Sequence, residues 1–102
     1  MQTNAPDSPA ALVRSATESI AVRSAGEKGP ANALRSVVRM VDNDEAELAV
    51  DDLARVIEYF RIRILRTEYD LIVAAATRLD ALDSLAETGV DRFVADREPL
   101  AE

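Results

Sequence analysis

Six carboxylates and no cation fill residues 40–54: Asp42, Asp44, Glu45, Glu47, Asp51 and Asp52. They are the densest cluster of ionisable groups in the chain. Asp51 and Asp52 are adjacent, but neighbours on a helix point about 100° apart, so they do not form a shared acid–base pair. Asp42 and Asp44 look like the start of a calcium loop. Such a loop needs glycine at its sixth position and a bidentate glutamate at its twelfth, and here those positions hold Glu47 and Leu53. The chain has no histidine and no cysteine. That removes the commonest general base, the commonest metal ligands, thiol nucleophiles and disulfides. The expectation is a protein that is not an enzyme, with no metal and no cofactor.

Electrostatic recognition is the chemistry left to these acids. Glu47 and Asp51 are four residues apart and Asp44 and Glu47 three, spacings at which like charges on a helix repel by about a few tenths of a kcal/mol per pair. A partner bearing lysine and arginine relieves that repulsion and associates faster. The plainer alternative is a solvated helix start whose acids suit the helix dipole. Arginines 55, 61, 63 and 66 suggest a phosphate site, but no glycine-rich loop or aromatic platform accompanies them. Pairing with Glu58, Glu68 or the acidic block is expected instead. Tyr59 and Tyr69 suit either a core or an interface. Tyr69 is read as core and Tyr59 is left open.

The elements that position these groups read as helices. Residues 1–7 form a flexible polar lead-in. Ser8-Pro9 is a helix start, with Ser8 as N-cap and Pro9 at the first helical position. Leu12, Val13, Ala16, Ile20 and Ala21 make the apolar stripe of a first helix reaching about Ala25. Gly26 is expected to take the left-handed cap, and Gly29-Pro30 to stop any continuation. A second helix, roughly Ala31 to Val41, carries Leu34, Val37, Val38 and Val41. Asn43 or Asp44 then caps a third, about Glu45 to Phe60. Its buried face is Ala49, Leu53, Val56, Ile57 and Phe60, flanked by Leu48 and Val50. Asp51, Asp52, Arg55 and Glu58 face water.

Residues 59–65 alternate isoleucine with arginine, a strand pattern for which no second strand of similar quality exists. They are read as an extended connection whose isoleucines plug the core, with a continuous helix as the alternative. A fourth helix, about Thr67 to Ala81, buries Tyr69, Ile72, Val73, Ala76 and Leu79. Leu82 and Leu85 prolong that surface to a stop at Gly89. Residues 90–95 form one last turn with Phe93 docked on the bundle, and 96–102 are a polar tail. The fold class is therefore all-α: a small bundle of four main helices, with room for a short fifth, in one domain over residues 8–95. The 4% aromatic content argues against a β-sandwich.

A net charge of −7 disfavours nonspecific nucleic-acid binding and favours a basic protein partner. No apolar run approaches the roughly 20 residues of a membrane span. The N-terminal stretch shows neither a basic segment nor an apolar one of the secretory kind. The expected location is the cytoplasm.

The segments DEAELAVDDLARVIEYF, RIRIL and RTEYDLIVAAATRLDAL together resemble small bacterial immunity proteins of the MafI-like kind. The resemblance covers about Asp42 to Leu85. It departs from the family pattern at Arg66, where Ser or Thr usually precedes the E-Y helix, and in lacking a proline in the connection. It implies a non-enzymatic inhibitor that binds the C-terminal toxin domain of a polymorphic or contact-dependent system. Such domains are often nucleases with basic clefts. The expected state is a monomer within a 1:1 complex. The partner-binding residues would be Asp42, Asp44, Glu45, Glu47, Asp51, Asp52, Glu58 and Tyr59. The competing reading is a self-associating structural or regulatory helical adaptor with no toxin partner.

Overall fold

A computed structural model of the chain describes residues 8–95; the lead-in expected at 1–7 and the tail expected at 96–102 lie outside the described residues. Five α-helices follow one another: α1 (Pro9–Arg23), α2 (Lys28–Asp42), α3 (Ala46–Phe60), α4 (Arg66–Leu79) and α5 (Leu82–Thr88). A 3-10 turn at Val90–Phe93 closes the series. Two short strands, β1 (Ile64–Leu65) and β2 (Val94–Ala95), pair in parallel, Ile64 with Val94 and Leu65 with Ala95. The all-α bundle is as expected.

Ser8 caps α1 as anticipated, its Oγ accepting from the Ala11 N–H at 3.2 Å. Leu12, Val13, Ala16 and Ile20 are buried. They pack chiefly against α4 and α2. Thr17 is also fully buried; its hydroxyl donates to the Val13 carbonyl at 2.7 Å, so burial leaves no unpaired polar group. The α1–α2 connection differs from expectation. Ser24 ends α1 with φ −99°, and Gly26 is not left-handed. Helix α2 begins three residues early, so Gly29-Pro30 lies in its first turn rather than stopping it. Proline fits there because the first four N–H groups of a helix lack intrahelical acceptors anyway. Gly29 is needed for space: a Cβ would fall 2.8 Å from Phe60 Cε1.

Helix α3 lies against α2 and α5 and also touches α1 and α4. Leu53, Ile57 and Val50 are fully buried with Ala49 and Ala54. Each large side chain there contributes about 1.5–3 kcal/mol of apolar burial. Val50 therefore belongs to the core rather than its flank. Phe60, expected on the buried face, is 36% exposed and leans on Gly29 at the helix end. Asp51 and Asp52 are half-buried rather than open to water.

Three helix ends share one device. Left-handed residues Asp44, Arg61 and Asp80 have φ of 64°, 53° and 57°. In each case the following N–H reaches back to the carbonyl five residues before it: Glu45 to Met40 at 2.9 Å, Ile62 to Ile57 at 3.0 Å and Ala81 to Ala76 at 2.8 Å. This is the Schellman closure, made here without glycine. Asp44 thus ends α2 instead of capping α3, whose N-cap is Glu45 without a side-chain cap bond. Asp80 ends α4 close to the limit expected at Ala81 and separates off α5, where the sequence reading had only a prolonged apolar surface.

After Arg61 the chain is extended, with Ile64 fully buried and Ile62 half-buried, so the isoleucines do plug the core. The expected lack of a pairing partner is corrected by Val94–Ala95. Leu65, not Arg66, is the N-cap of α4. Tyr69 is half-buried and packs against the core.

Candidate protein-docking surface

Closure of α2 at Asp44 turns the chain sharply, so the end of α2 and the start of α3 project their acids from one corner. Asp42, Asp44, Glu45 and Glu47 are all exposed. Beside them runs a groove of about 480 Å³ lined by residues that include Pro9, Ala10, Asp44, Glu45, Leu48 and Leu79. Its apolar lining comes from the starts of α1 and α3 and the end of α4, with carboxylates at the rim. Leu48 is 57% exposed. An apolar trough edged by carboxylates suits a lysine or arginine side chain, whose methylene stem lies on apolar surface while its charged head meets oxygen.

The candidate residues do not act as one set. Asp42 is neutralised within the chain: the Arg14 guanidinium pairs with it and also donates to Glu18 at 3.1 Å. Asp51 accepts from Arg55 Nε at 3.1 Å. Burial, then repulsion from Asp51, pushes the half-buried Asp52 carboxyl above its ordinary range. Glu58 stands 3.9 Å from Arg92 Nη2. Among the described residues Asp44, Glu45 and Glu47 make no ion pair, and these three share the groove. Tyr59, 80% exposed, stacks edge-on against Phe60 with ring centroids 4.8 Å apart. At about 1.5 Å rise per residue it lies roughly 18 Å along α3 from Glu47, outside the groove.

The pairing expected for the arginines is corrected in part. Arg55 pairs with Asp51, and Arg66 with Asp70 at 3.6 Å. Neither binds Glu68, which pairs with Arg23 of α1. Arg61 and Arg63 make no ion pair among the described residues. The sequence reading missed Pro9, Ala10 and Leu79 as groove residues. Leu48, placed among acids and off the apolar stripe of α3, was the one visible signal.

Among the described residues no three acids converge as a metal site, and no helix is long and apolar enough to cross a membrane. Comparison with protein-family models, with curated proteins and with solved structures found no match.

Proposed function

We propose that this chain is a binding protein that inhibits a basic protein partner, and that the acidic corner is where the partner docks. The observation that carries the reading is the juxtaposition of three carboxylates without internal cations, Asp44, Glu45 and Glu47, with an apolar groove and the exposed Leu48. Other acids of the described residues, Asp80, Asp83 and Asp91 among them, also make no ion pair; what sets these three apart is that they edge an apolar groove. The MafI-like resemblance supplies the more specific form: an immunity protein that occludes the basic cleft of a cognate toxin domain, in a 1:1 complex, with no chemistry of its own. Asp42 and Asp51, being paired internally, contribute less than the corner three.

The test is co-expression with the C-terminal domain of any large secreted protein encoded just upstream. A stable heterodimer and rescue of growth are expected. Neutralising the three acids together (Asp44→Asn, Glu45→Gln, Glu47→Gln) slows association and flattens its dependence on salt, because steering by exposed charge is a long-range term that salt screens. Unchanged association kinetics overturn the role of the corner. A homodimer at micromolar concentration in sedimentation, with no heterodimer, favours the adaptor reading instead.

A further inference from the structure

We propose that the far end of α3 carries a second and unrelated site, a cavity that binds a phosphate-type oxyanion between Arg61, Arg63 and Arg92. It does not depend on the docking proposal, since the two ends of the 15-residue helix stand about 22 Å apart.

The cavity, about 350 Å³, is lined by the three arginines with Phe93 and Val94. The parallel β1–β2 pairing brings it together, because Ile64 opposite Val94 sets the 3-10 turn that carries Arg92 beside the Arg61–Arg63 segment. In a chain with 19 acids and 12 bases, Arg61 and Arg63 have no carboxylate partner among the described residues. Arg92 is held mainly by neutral acceptors, Nε donating to the Gly89 carbonyl at 3.1 Å and Nη2 to the Thr88 carbonyl at 3.0 Å. Its guanidinium also lies 5.2 Å from the centre of the Phe93 ring. Among the described residues its one ion pair is with Glu58, at 3.9 Å.

The frame around the site is fixed. The Ile62 N–H is bonded to Ile57, the Arg63 carbonyl accepts from Arg23 Nη2 at 3.1 Å, and Ile64 is paired in β1. A fixed frame lowers the ordering cost of binding. Arg61 also occupies a left-handed conformation that costs a non-glycine residue about 1 kcal/mol or more. Glycine there would cap the helix better, yet the chain places an unpaired guanidinium at the position. Three guanidinia outweigh the single charge of a carboxylate; a dianionic phosphate or pyrophosphate matches them better and accepts the bidentate fork of arginine.

Pyrophosphate, orthophosphate and succinate, each titrated into the full chain at constant ionic strength of about 0.15 M, test the assignment by amide chemical shifts. Pyrophosphate is expected to move resonances of residues 60–64 and 91–94 saturably, and to bind about tenfold or more tightly than succinate. Arg61→Gly separates binding from folding. It relieves the backbone, so its Tm matches or exceeds that of the parent chain, yet its affinity for pyrophosphate falls at least about tenfold. A shift that does not saturate, equal binding of succinate, or undiminished binding by Arg61→Gly overturns the proposal.

Discussion

Breaking the pair between Arg23 and the buried Glu68 should cost this fold more than any other change to a polar contact, and more from the arginine side than from the glutamate side. Glu68 is 1% exposed, and its partner Arg23 is 37% exposed. The carboxylate accepts from both Arg23 terminal nitrogens, with Nη2 to Oε1 at 2.6 Å, from the Ser19 hydroxyl and from the Leu65 N–H at 2.8 Å. It therefore ties α1 to the start of α4, and it sits at the third position of α4, where a glutamate can cap the N-cap N–H. Arg23→Ala leaves that carboxylate buried without its cation, a loss of about 3–5 kcal/mol for a buried pair. Glu68→Ala strands the Leu65 N–H but leaves an arginine that water can reach, so its cost is lower, about 2–4 kcal/mol. Glu68→Gln keeps the shape but only one of the two acceptor oxygens, sets an amide NH2 against a donor of Arg23 or Leu65, and loses the charge, for about 1–3 kcal/mol.

Urea unfolding followed by far-UV circular dichroism reads these differences. With a slope of about 1–3 kcal/mol/M, a loss of 3 kcal/mol lowers the midpoint by about 1–3 M. The double variant should cost clearly less than the sum of Arg23→Ala and Glu68→Ala, since either change alone breaks the same interaction. The pH dependence has a definite sign. Burial pushes the Glu68 carboxyl up, but the bonds from Arg23, Ser19 and Leu65 more than offset it, leaving it below its ordinary value of 4.5. Its stabilisation is therefore complete above that value and disappears as pH falls through the lower folded one. Glu68→Gln should flatten the acid limb of the stability curve. Additive single costs, or an acid limb unaltered in Glu68→Gln, would refute this account.

Other expectations concern individual positions. Gly89 has φ 65° and a Cβ there would meet Arg92 Nε at 2.7 Å; Gly89→Ala should lower stability by about 1–2 kcal/mol. Gly26→Ala, where nothing lies within 4 Å, should instead raise it by about 0.4–1 kcal/mol by restricting the unfolded chain; thermal melts of the pair check both. Asp52→Asn should raise Tm slightly at neutral pH and lose that advantage in acid. The native carboxyl is held above its ordinary range by burial and by Asp51, so its ionisation opposes folding. Ser8→Ala should cost about 1 kcal/mol through loss of the α1 cap, visible in the same melts.

Local patterning was enough to read the number of main helices, the Ser8 cap, the buried stripes of α1 and α2 and the acidic block, because each depends on residues within a turn or two of one another. The left-handed caps at Asp44, Arg61 and Asp80 were not legible, although the helix ends themselves were placed within a residue or two, since glycine is the usual sign of such a cap and none stands there. The parallel β1–β2 contact joins residues thirty apart, and two-residue strands carry too little pattern to announce each other. The fate of the charges was a matter of tertiary structure entirely. Composition placed six acids within fifteen residues, but packing gave Asp42 to Arg14 and left Asp44, Glu45 and Glu47 around an apolar groove. Glu68 was expected to meet one of the arginines 55, 61, 63 and 66, but packing carried Arg23 and Ser19 of α1 over it. A sequence records which charges exist; which of them meet depends on how helices distant in the chain are laid together, because an ion pair is a matter of a few ångströms in space.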